Sequence, residues 1–442
     1  MKITLIRPMI GSPRNSRNAE TICMEPLELA TLAGLTSADI DVEMFDDRIE
    51  NIPNDINTDL IGITVDTFTA KRAYAIASVF RKRKIPVVLG GCHPTVLPDE
   101  AIQHCDSIVI GEAEEVWPQL IIDLQQNTLQ RFYHSTRLVS LEGRMPRREI
   151  FKGKKYFPQP LVEFGRGCKF HCTFCSIATL YKSTHRHRPI KDVIEDIRQT
   201  GKRRIFFSDD NIVADPDAAK ELFAALIPLK LRWSSQASLN FVHDPELVRL
   251  MVRSGCWGLF IGFESLHREN LKQMKKDSNL GIKSYENALR IIRDNGIKVW
   301  ASFMIGWDHD TPDVLESTLK FAIKQKFFLA NFNNVLPYPG TELYETLQSE
   351  GRLLFDKWWL DENFQFGGPS FKPRHFKPEE LCDACYHARL RYNQWWPLIK
   401  RGLDVRANTQ GVRGILEFYL SNRVFLREVR RKQGMILGIK HE

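Results

Sequence analysis

The sequence predicts an α/β protein. A doubly wound parallel sheet spans residues 1–133, a linker spans 134–158, a partial (β/α)6 barrel of the TIM type spans 159–345, and a mainly helical region spans 346–442. Two separate series of short apolar strands alternate with helical stretches, as in parallel sheets. Small or polar residues follow the predicted strands. After residue 345 this alternation gives way to mixed aromatic and basic residues.

The first series contains five predicted strands and two clear helices. The strands are MKITLIRP, DVEMFDD, DLIGITV, PVVLGG and SIVIGE, and the helices are MEPLELATLAGL and AKRAYAIASVFRKRK. Doubly wound sheets bind ligands beyond the carboxyl ends of their strands. Those ends carry Thr64, Gly90, Gly91, Gly111 and Glu112. Glycine lets a bulky ligand approach the backbone, although a plain tight turn would equally explain Gly90 and Gly91.

The second series contains six predicted strands at intervals of roughly 25–40 residues, which indicates a barrel. They are LVEFGRG, RRIFFSDD, LRWSSQAS, WGLFIGFES, VWASFMIGW and ANFNNVLPYP. Barrel strands converge on one mouth, where barrel enzymes carry out their chemistry. The basic, proline-containing stretch 134–158 lacks periodicity and is interpreted as the connection between the two domains.

Composition limits the class of protein. The chain has 442 residues, 43% hydrophobic and 26% charged, which is typical of a globular protein with a large core. No apolar run reaches the roughly 18 residues of a membrane span, and no secretion signal is evident. We therefore expect a cytoplasmic protein without a transmembrane segment. We expect no nucleic acid as a partner.

The net charge is +8, and several basic residues cluster near the C-terminus: Arg423, Arg427, Arg430, Arg431 and Lys432. A positive balance favours anionic partners such as phosphates, carboxylates or acidic lipid surfaces. Because charge runs are commonly solvated, we interpret this one as a solvated helix face.

Nine cysteines in a long chain without a secretion signal indicate thiols or metal ligands rather than disulfides. Three of them, Cys168, Cys172 and Cys175, lie in the stretch EFGRGCKFHCTFCSI. Thiolates suit zinc or iron–sulfur clusters. Three thiolates leave one iron of a four-iron cluster open to a small molecule. The alternative is a structural zinc site completed by His171, His185 or His187.

This C-x3-C-x2-C loop, with Phe174 before its last cysteine, resembles the radical S-adenosylmethionine (SAM) enzymes. The segments FFSDDN, SQAS, IGFES, FMIGWDHDT and LPYPGTELYETLQSEGRL extend the resemblance. It implies a 4Fe-4S cluster on the three cysteines and reductive cleavage of SAM to a 5′-deoxyadenosyl radical. It also implies SAM contacts from Phe174, Asp209, Asp210, Gln236, Glu264, Ile305 and Tyr338. The carboxylates among them could instead be helix caps or surface groups.

The N-terminal domain, with LGGCHPT and IGEAEE, is similar to the Rossmann-like cobalamin-binding domain of one radical SAM subfamily. That resemblance implies cobalamin contacts from Arg7, Thr64, Val65, Gly90, Gly91, His93, Gly111 and Glu112. Many cobalamin domains carry a cobalt-ligating histidine after the first strand, but the loop RPMIGSPRNSRN has none. His93 is interpreted as a structural residue or one that supports the site without touching the cofactor.

The resemblance predicts an enzyme that methylates an unactivated carbon of a small molecule with the help of cobalamin. Hydrogen abstraction without methyl transfer and a zinc-stabilised ligand-binding module are the alternatives. We expect a flavodoxin or ferredoxin as electron donor, and the aromatic, basic C-terminal region suggests an apolar substrate with an anionic end.

Two further groups are interpreted as core residues. Cys382 and Cys385 lie at helical spacing without enough neighbouring ligands for a second cluster. Four tryptophans are also interpreted as core residues, although they could line an apolar substrate cavity: Trp358, Trp359, Trp395 and Trp396.

Overall fold

A computed structural model of the chain describes residues 1–11, 22–136 and 138–438. Part of the loop RPMIGSPRNSRN lies outside these residues. The described chain confirms the predicted fold class, because two parallel six-stranded sheets are followed by C-terminal helices. None of the described helices combines the length and apolar character needed to cross a membrane.

The N-terminal sheet is parallel throughout, with the order β2-β1-β3-β4-β5-β6. Its strands are β1 (Lys2–Arg7), β2 (Asp41–Asp46), β3 (Leu60–Thr64), β4 (Val87–Gly90), β5 (Ser107–Ile110) and β6 (Phe132–His134). Its helices are α1 (Leu27–Leu35), α2 (Ala70–Lys82), α3 (Cys92–Val96), α4 (Pro98–Ala101) and α5 (Ala113–Gln125). Separate apolar clusters cover the two faces, so the strands are buried on both sides.

The second sheet is also parallel, with the order β14-β13-β12-β11-β10-β7. Its strands are β7 (Leu161–Val162), β10 (Arg204–Phe207), β11 (Arg232–Gln236), β12 (Cys256–Glu264), β13 (Lys298–Ile305) and β14 (Leu329–Asn334). The associated helices are α6 (Ser176–Tyr181), α7 (Ile190–Thr200), α8 (Pro216–Leu226), α9 (Pro245–Arg253), α10 (Arg268–Gln273), α11 (Asp277–Leu280), α12 (Tyr285–Asp294), α13 (Pro312–Lys324) and α14 (Glu342–Ser349). The main core fills the space between strands and helices.

The first barrel strand is shorter than the predicted LVEFGRG. It ends at Val162, and the stretch that follows forms an antiparallel hairpin of β8 (Gly165–Gly167) and β9 (His185–His187). The Asp209 carboxylate explains the break, because it accepts hydrogen bonds from the backbone amides of Phe164 at 2.9 Å and Gly165 at 2.6 Å. These amides therefore bind a side chain instead of continuing the parallel ladder.

The C-terminal region ends in three helices: α15 (Pro378–Tyr392), α16 (Trp395–Gly402) and α17 (Gly411–Lys432). Cys382 and Cys385 are buried on α15, as expected for packing residues. Trp358 and Trp359 are buried too, in the core of the N-terminal domain, so this region packs against a domain far away in sequence. The expectation of a core position was wrong for Trp395 and Trp396, which are 64% and 77% exposed.

Candidate active site

The three cysteines lie on the loop between β8 and α6. Burial raises the pKa of Cys172 to about 11 and also raises the pKa of Cys175, while Lys276 acts in the opposite direction on both. The three thiols are close enough to influence one another electrostatically. A metal centre that binds there would have to displace the thiol protons, as coordination to a metal does.

The cysteine loop offers three sulfur donors within one short stretch, the ligand type that iron–sulfur clusters use. Among the described residues, no three His, Cys, Asp or Glu side chains have the spacing of a single-ion site. A four-iron cluster bridges thiolates that lie farther apart than the ligands of one ion. His185 and His187 lie on β9, where His187 stacks on Phe164 at 5.3 Å.

Lys276 and Glu264 form a largely buried ion pair beside the cysteine loop that the sequence analysis did not identify as a pair. The Lys276 Nζ atom lies 3.6 Å from the Glu264 Oε1 atom and 5.9 Å from the centre of the Phe174 ring. Burial alone would lower the pKa of Lys276, but Glu264 and the three cysteines raise it. Burial raises the pKa of Glu264, and Lys276 opposes that shift. The site therefore holds one positive and one negative group.

Glu264 occupies an unusual backbone position. Its φ is +60°, and the pairing of β12 with β13 shifts register between Gly262 and Glu264. A side chain at Gly262 would collide with the Glu264 carboxylate, because an added Cβ would lie 2.0 Å from its Oε1. Bulges of this kind redirect side chains at sheet ends. The glycine and the bulge together position the carboxylate at the end of β12.

The other predicted SAM residues lie in different parts of the barrel, some beside the cysteine loop, some at strand ends and one at the boundary with the N-terminal domain. Asp209 holds the backbone before the cysteine loop, and Asp210 accepts a hydrogen bond from the Gly167 amide at 2.9 Å. Gln236 is exposed at the end of β11, while Ile305 is buried at the end of β13. Tyr338 packs edge-on against Phe68 of the N-terminal domain, with ring centres 6.0 Å apart. The structure thus brings Phe174 and Glu264 to the loop and leaves Tyr338 at the domain boundary.

A cavity of about 360 Å³ lies between the N-terminal sheet and the barrel. Its lining on the sheet side includes five predicted residues, Thr64, Gly90, Gly91, Gly111 and Glu112, together with residues of α1. The barrel side contributes Glu163, Arg166, Leu180, Tyr181 and Ser208. The described lining contains no histidine, and most of it is apolar. A large cofactor on the sheet would therefore face the hairpin that leads into the cysteine loop.

Three predicted cobalamin residues lie outside this lining. His93 is buried, and its Nε2 atom lies 3.1 Å from Glu100 Oε1 and 3.2 Å from the Tyr74 hydroxyl, so its contacts are with residues of its own domain. Arg7 pairs with Asp66 at 2.8 Å, and Val65 is buried in the core.

Gly91 has φ +107°, and an added Cβ would lie 2.7 Å from the Val65 carbonyl oxygen. Glycine is therefore required there by the turn itself.

Arg166 joins the two domains at this cavity. Its guanidinium lies 2.9 Å from Glu112 and 2.8 Å from Glu114 of the N-terminal domain, and 2.9 Å from Glu163 of the barrel. Arg186 adds a second bond to Glu112 at 2.7 Å. Sequence reasoning missed both arginines because an ion pair across domains leaves no local pattern. The pairs hold the β8–β9 hairpin, and the cysteine loop that lies between its two strands, against the cavity.

Two neighbouring features are typical of an enzyme with two cofactors: a three-cysteine loop after the first barrel strand, and a glycine-lined cavity at the parallel sheet that Arg166 and Tyr181, on either side of this loop, also line. Comparison with known proteins places it more narrowly. Residues 162–322 match the radical SAM superfamily, and residues 23–121 match the B12-binding domain. The chain belongs to the family of cobalamin-binding radical SAM methyltransferases, whose cofactors are a 4Fe-4S cluster, SAM and cobalamin.

The relatives and solved structures agree with this assignment. The chain is 33% identical over 371 residues to the bacteriochlorophyllide d C-12(1)-methyltransferase of Chlorobaculum tepidum, which covers 81% of this chain and 80% of that protein. It is 29% identical over 287 residues to the hopanoid C-2 methylase of Rhodopseudomonas palustris, covering 62% and 54%. Its fold matches TsrM from Kitasatospora setae with a TM-score of 0.68, at 14% identity and 96% and 99% coverage. It matches OxsB with a TM-score of 0.65, at 15% identity and 97% and 80% coverage.

Proposed function

We propose that this enzyme methylates an unactivated carbon of a largely apolar small molecule that binds inside the barrel. When bound, cobalamin supplies a transferable methyl group, and the cluster with SAM supplies the means to activate a carbon–hydrogen bond. The remaining question is what the residues of this chain contribute to binding and orientation.

The shared cavity is the observation that carries the proposal. Thr64 and Gly91 of the sheet and Tyr181 and Ser208 of the barrel line one continuous space. A cofactor that rests on the sheet would present one face to the interior of the barrel. Methyl transfer requires this arrangement, since donor and acceptor carbon must come into contact. Hydrogen abstraction alone would not require it.

We assign the cluster to Cys168, Cys172 and Cys175. We assign the amino-acid part of SAM to the neighbourhood of Lys276 and Glu264, because the pair offers one positive and one negative group beside the loop. A zwitterion with an ammonium and a carboxylate suits such a pair, and charge-assisted hydrogen bonds are the strong ones.

The apolar character of the substrate follows from the concave face of the barrel. Phe260 lies in the middle of β12, yet its side chain is 42% exposed. It stacks on Trp300 with ring centres 4.3 Å apart and meets Phe206 edge-on at 5.8 Å. Its neighbours Leu259 and Ile261 point the other way, into the core. An exposed aromatic ring inside a barrel provides a wall for an apolar ligand.

The relatives suggest which apolar molecules to test. Their names describe methylation of a bacteriochlorophyllide and of a hopanoid, which are both large and mostly apolar. We propose a ring-containing substrate of this size with an anionic group. We also propose a flavodoxin or ferredoxin as reductant and, because none of the nine described cysteines forms a disulfide, a reducing cytoplasmic location.

The test uses anaerobically reconstituted enzyme, a chemical reductant, SAM with a deuterated methyl group, and either a bacteriochlorophyllide or a hopanoid. Methylation predicts substrate-dependent S-adenosylhomocysteine and a product whose added methyl group carries the label. Formation of 5′-deoxyadenosine with an unlabelled, rearranged product would show that hydrogen abstraction without methyl transfer is the reaction. The Phe260→Ala variant should raise the KM for the substrate, with the outward-facing Ile291→Ala as control.

A further inference from the structure

We propose that the exposed surface of α16, α17 and their connecting loop docks onto an anionic lipid membrane. The described chain has sixteen large apolar side chains that are exposed, and nine of them fall between residues 395 and 420. Scattered exposed apolar residues are ordinary, but a cluster of this kind marks an interaction site. We call it the C-terminal apolar face, defined by Trp395, Trp396, Leu403, Val412, Leu416 and Leu420.

These residues form one surface. Val412, Leu416 and Leu420 recur every fourth residue on α17, so they share one side of the helix. Arg423 and Arg427 continue the same side toward the C-terminal end. The Arg423 guanidinium lies over the Trp395 ring at 5.0 Å, which places the start of α16 beside this stripe. The opposite side of α17, with Phe418 and Leu426, is buried.

The basic residues around the C-terminal apolar face indicate that its binding partner is anionic. Residues 395–432 contain nine basic and only three acidic side chains. None of the three acids faces outward unpaired: Asp404 is buried, Glu417 pairs with Arg232, and Glu428 pairs with Arg431 at 2.7 Å. Arg423, Arg427 and Arg430 form no ion pair with any described residue. An anionic surface would neutralise these arginines.

A membrane fits these features better than a second copy of the chain. A symmetric dimer would bring the arginines of one copy against those of the other, which like charges oppose. At a lipid surface, by contrast, tryptophans sit at the level of the headgroups, aliphatic side chains enter the acyl boundary, and arginines bind the lipid phosphates. The described helices cannot span a bilayer, so the contact would be peripheral.

The test is flotation of the full chain with two kinds of vesicle. One contains phosphatidylcholine alone, and the other also contains about 30% of the anionic lipid phosphatidylglycerol. We expect binding to the anionic vesicles and loss of binding at high salt. The double variant Trp395→Ser, Trp396→Ser should bind at least about tenfold more weakly. Arg423→Gln with Arg427→Gln should weaken binding roughly 30-fold on anionic vesicles only.

The matched control is Ile122→Ser with Phe132→Ser, which removes two exposed apolar side chains from the N-terminal domain and should leave vesicle binding unchanged. Quenching of the wild-type tryptophan fluorescence by brominated lipid gives a readout that does not depend on any variant folding. Absence of both flotation and quenching would overturn the proposal. A dimer in solution that dissociates when Trp395 and Trp396 are replaced would overturn it as well, because the face would then bind a second copy.

Discussion

The Lys276 ammonium lies 3.6 Å from the Glu264 carboxylate, in a largely buried position where the three cysteines of the loop also act on it electrostatically. The two residues come from different elements, since Glu264 ends β12 and Lys276 precedes α11. The pair therefore forms only when the chain is folded, and it connects the end of β12 with the segment beside the cysteine loop.

Replacement of Lys276 with methionine should destabilise the protein by about 3–5 kcal/mol, because it leaves the Glu264 carboxylate buried without a cation. The adjacent Lys275 provides the control. It pairs with Glu342 at 2.8 Å, but both side chains are more than half exposed. Lys275→Met should cost no more than about 1 kcal/mol. Urea unfolding at neutral pH measures both, and equal losses would contradict a buried ion pair.

Cys172→Ala should abolish the iron–sulfur absorbance and the bound iron and sulfide after anaerobic reconstitution, because only two ligands remain. The N-terminal domain should stay folded, since the loop lies in the barrel. Cys385→Ala is the control. Its thiol is buried on α15 in the main core, so this variant should lose some stability and keep its iron. If Cys172→Ala retains full iron content, the ligand assignment is wrong.

The residues of the site that could be predicted are those that form a pattern within a short stretch of sequence. The cysteine spacing can be recognised because the three proposed cluster ligands lie in one short stretch. The glycines at strand ends can be recognised because a tight turn of the backbone requires them. Lys276, Arg166 and Arg186 could not be found in this way. Lys276 pairs with Glu264, 12 residues away, and both arginines pair with Glu112, more than 50 residues away. A lysine or arginine that forms such a distant pair looks the same in the sequence as one on the surface. Trp358 and Trp359 illustrate the same limit for the fold, since they fill the core of a domain that ends more than 200 residues earlier.

Gly91→Ala tests whether the turn shapes the cavity. Alanine at φ +107° is strained by at least about 1–2 kcal/mol, and its Cβ would contact the Val65 carbonyl. We expect lower stability and weaker cobalamin binding, measured by thermal unfolding and by the absorbance of the retained cofactor. Gly90→Ala is the neighbouring control for stability, because an added Cβ there would lie 3.6 Å from Val109, an ordinary contact distance. Equal losses of stability in the two variants would show that positive φ at residue 91 is unimportant.

The lowered pKa of Lys298 predicts how the stability of the protein depends on pH. It is buried at the start of β13, with its ammonium 5.2 Å from the centre of the Trp257 ring. Burial, followed by the charge of Arg232, lowers its pKa to about 8, while Glu417 opposes the shift; Arg204 lowers it further and Asp404 raises it.

In the unfolded chain this lysine keeps its proton to about pH 10.5, so between pH 8 and 10.5 the unfolded state binds more protons. Stability should therefore rise with pH across this window, by roughly 3 kcal/mol at most. Lys298→Met should be more stable than the wild type at pH 7, and the difference should shrink as the pH approaches 10. Exposed Lys283→Met should follow the wild-type curve. Chemical unfolding from pH 7 to 10 measures the three proteins, and parallel curves for Lys298→Met and the wild type would show that Lys298 is charged at no cost in the folded state.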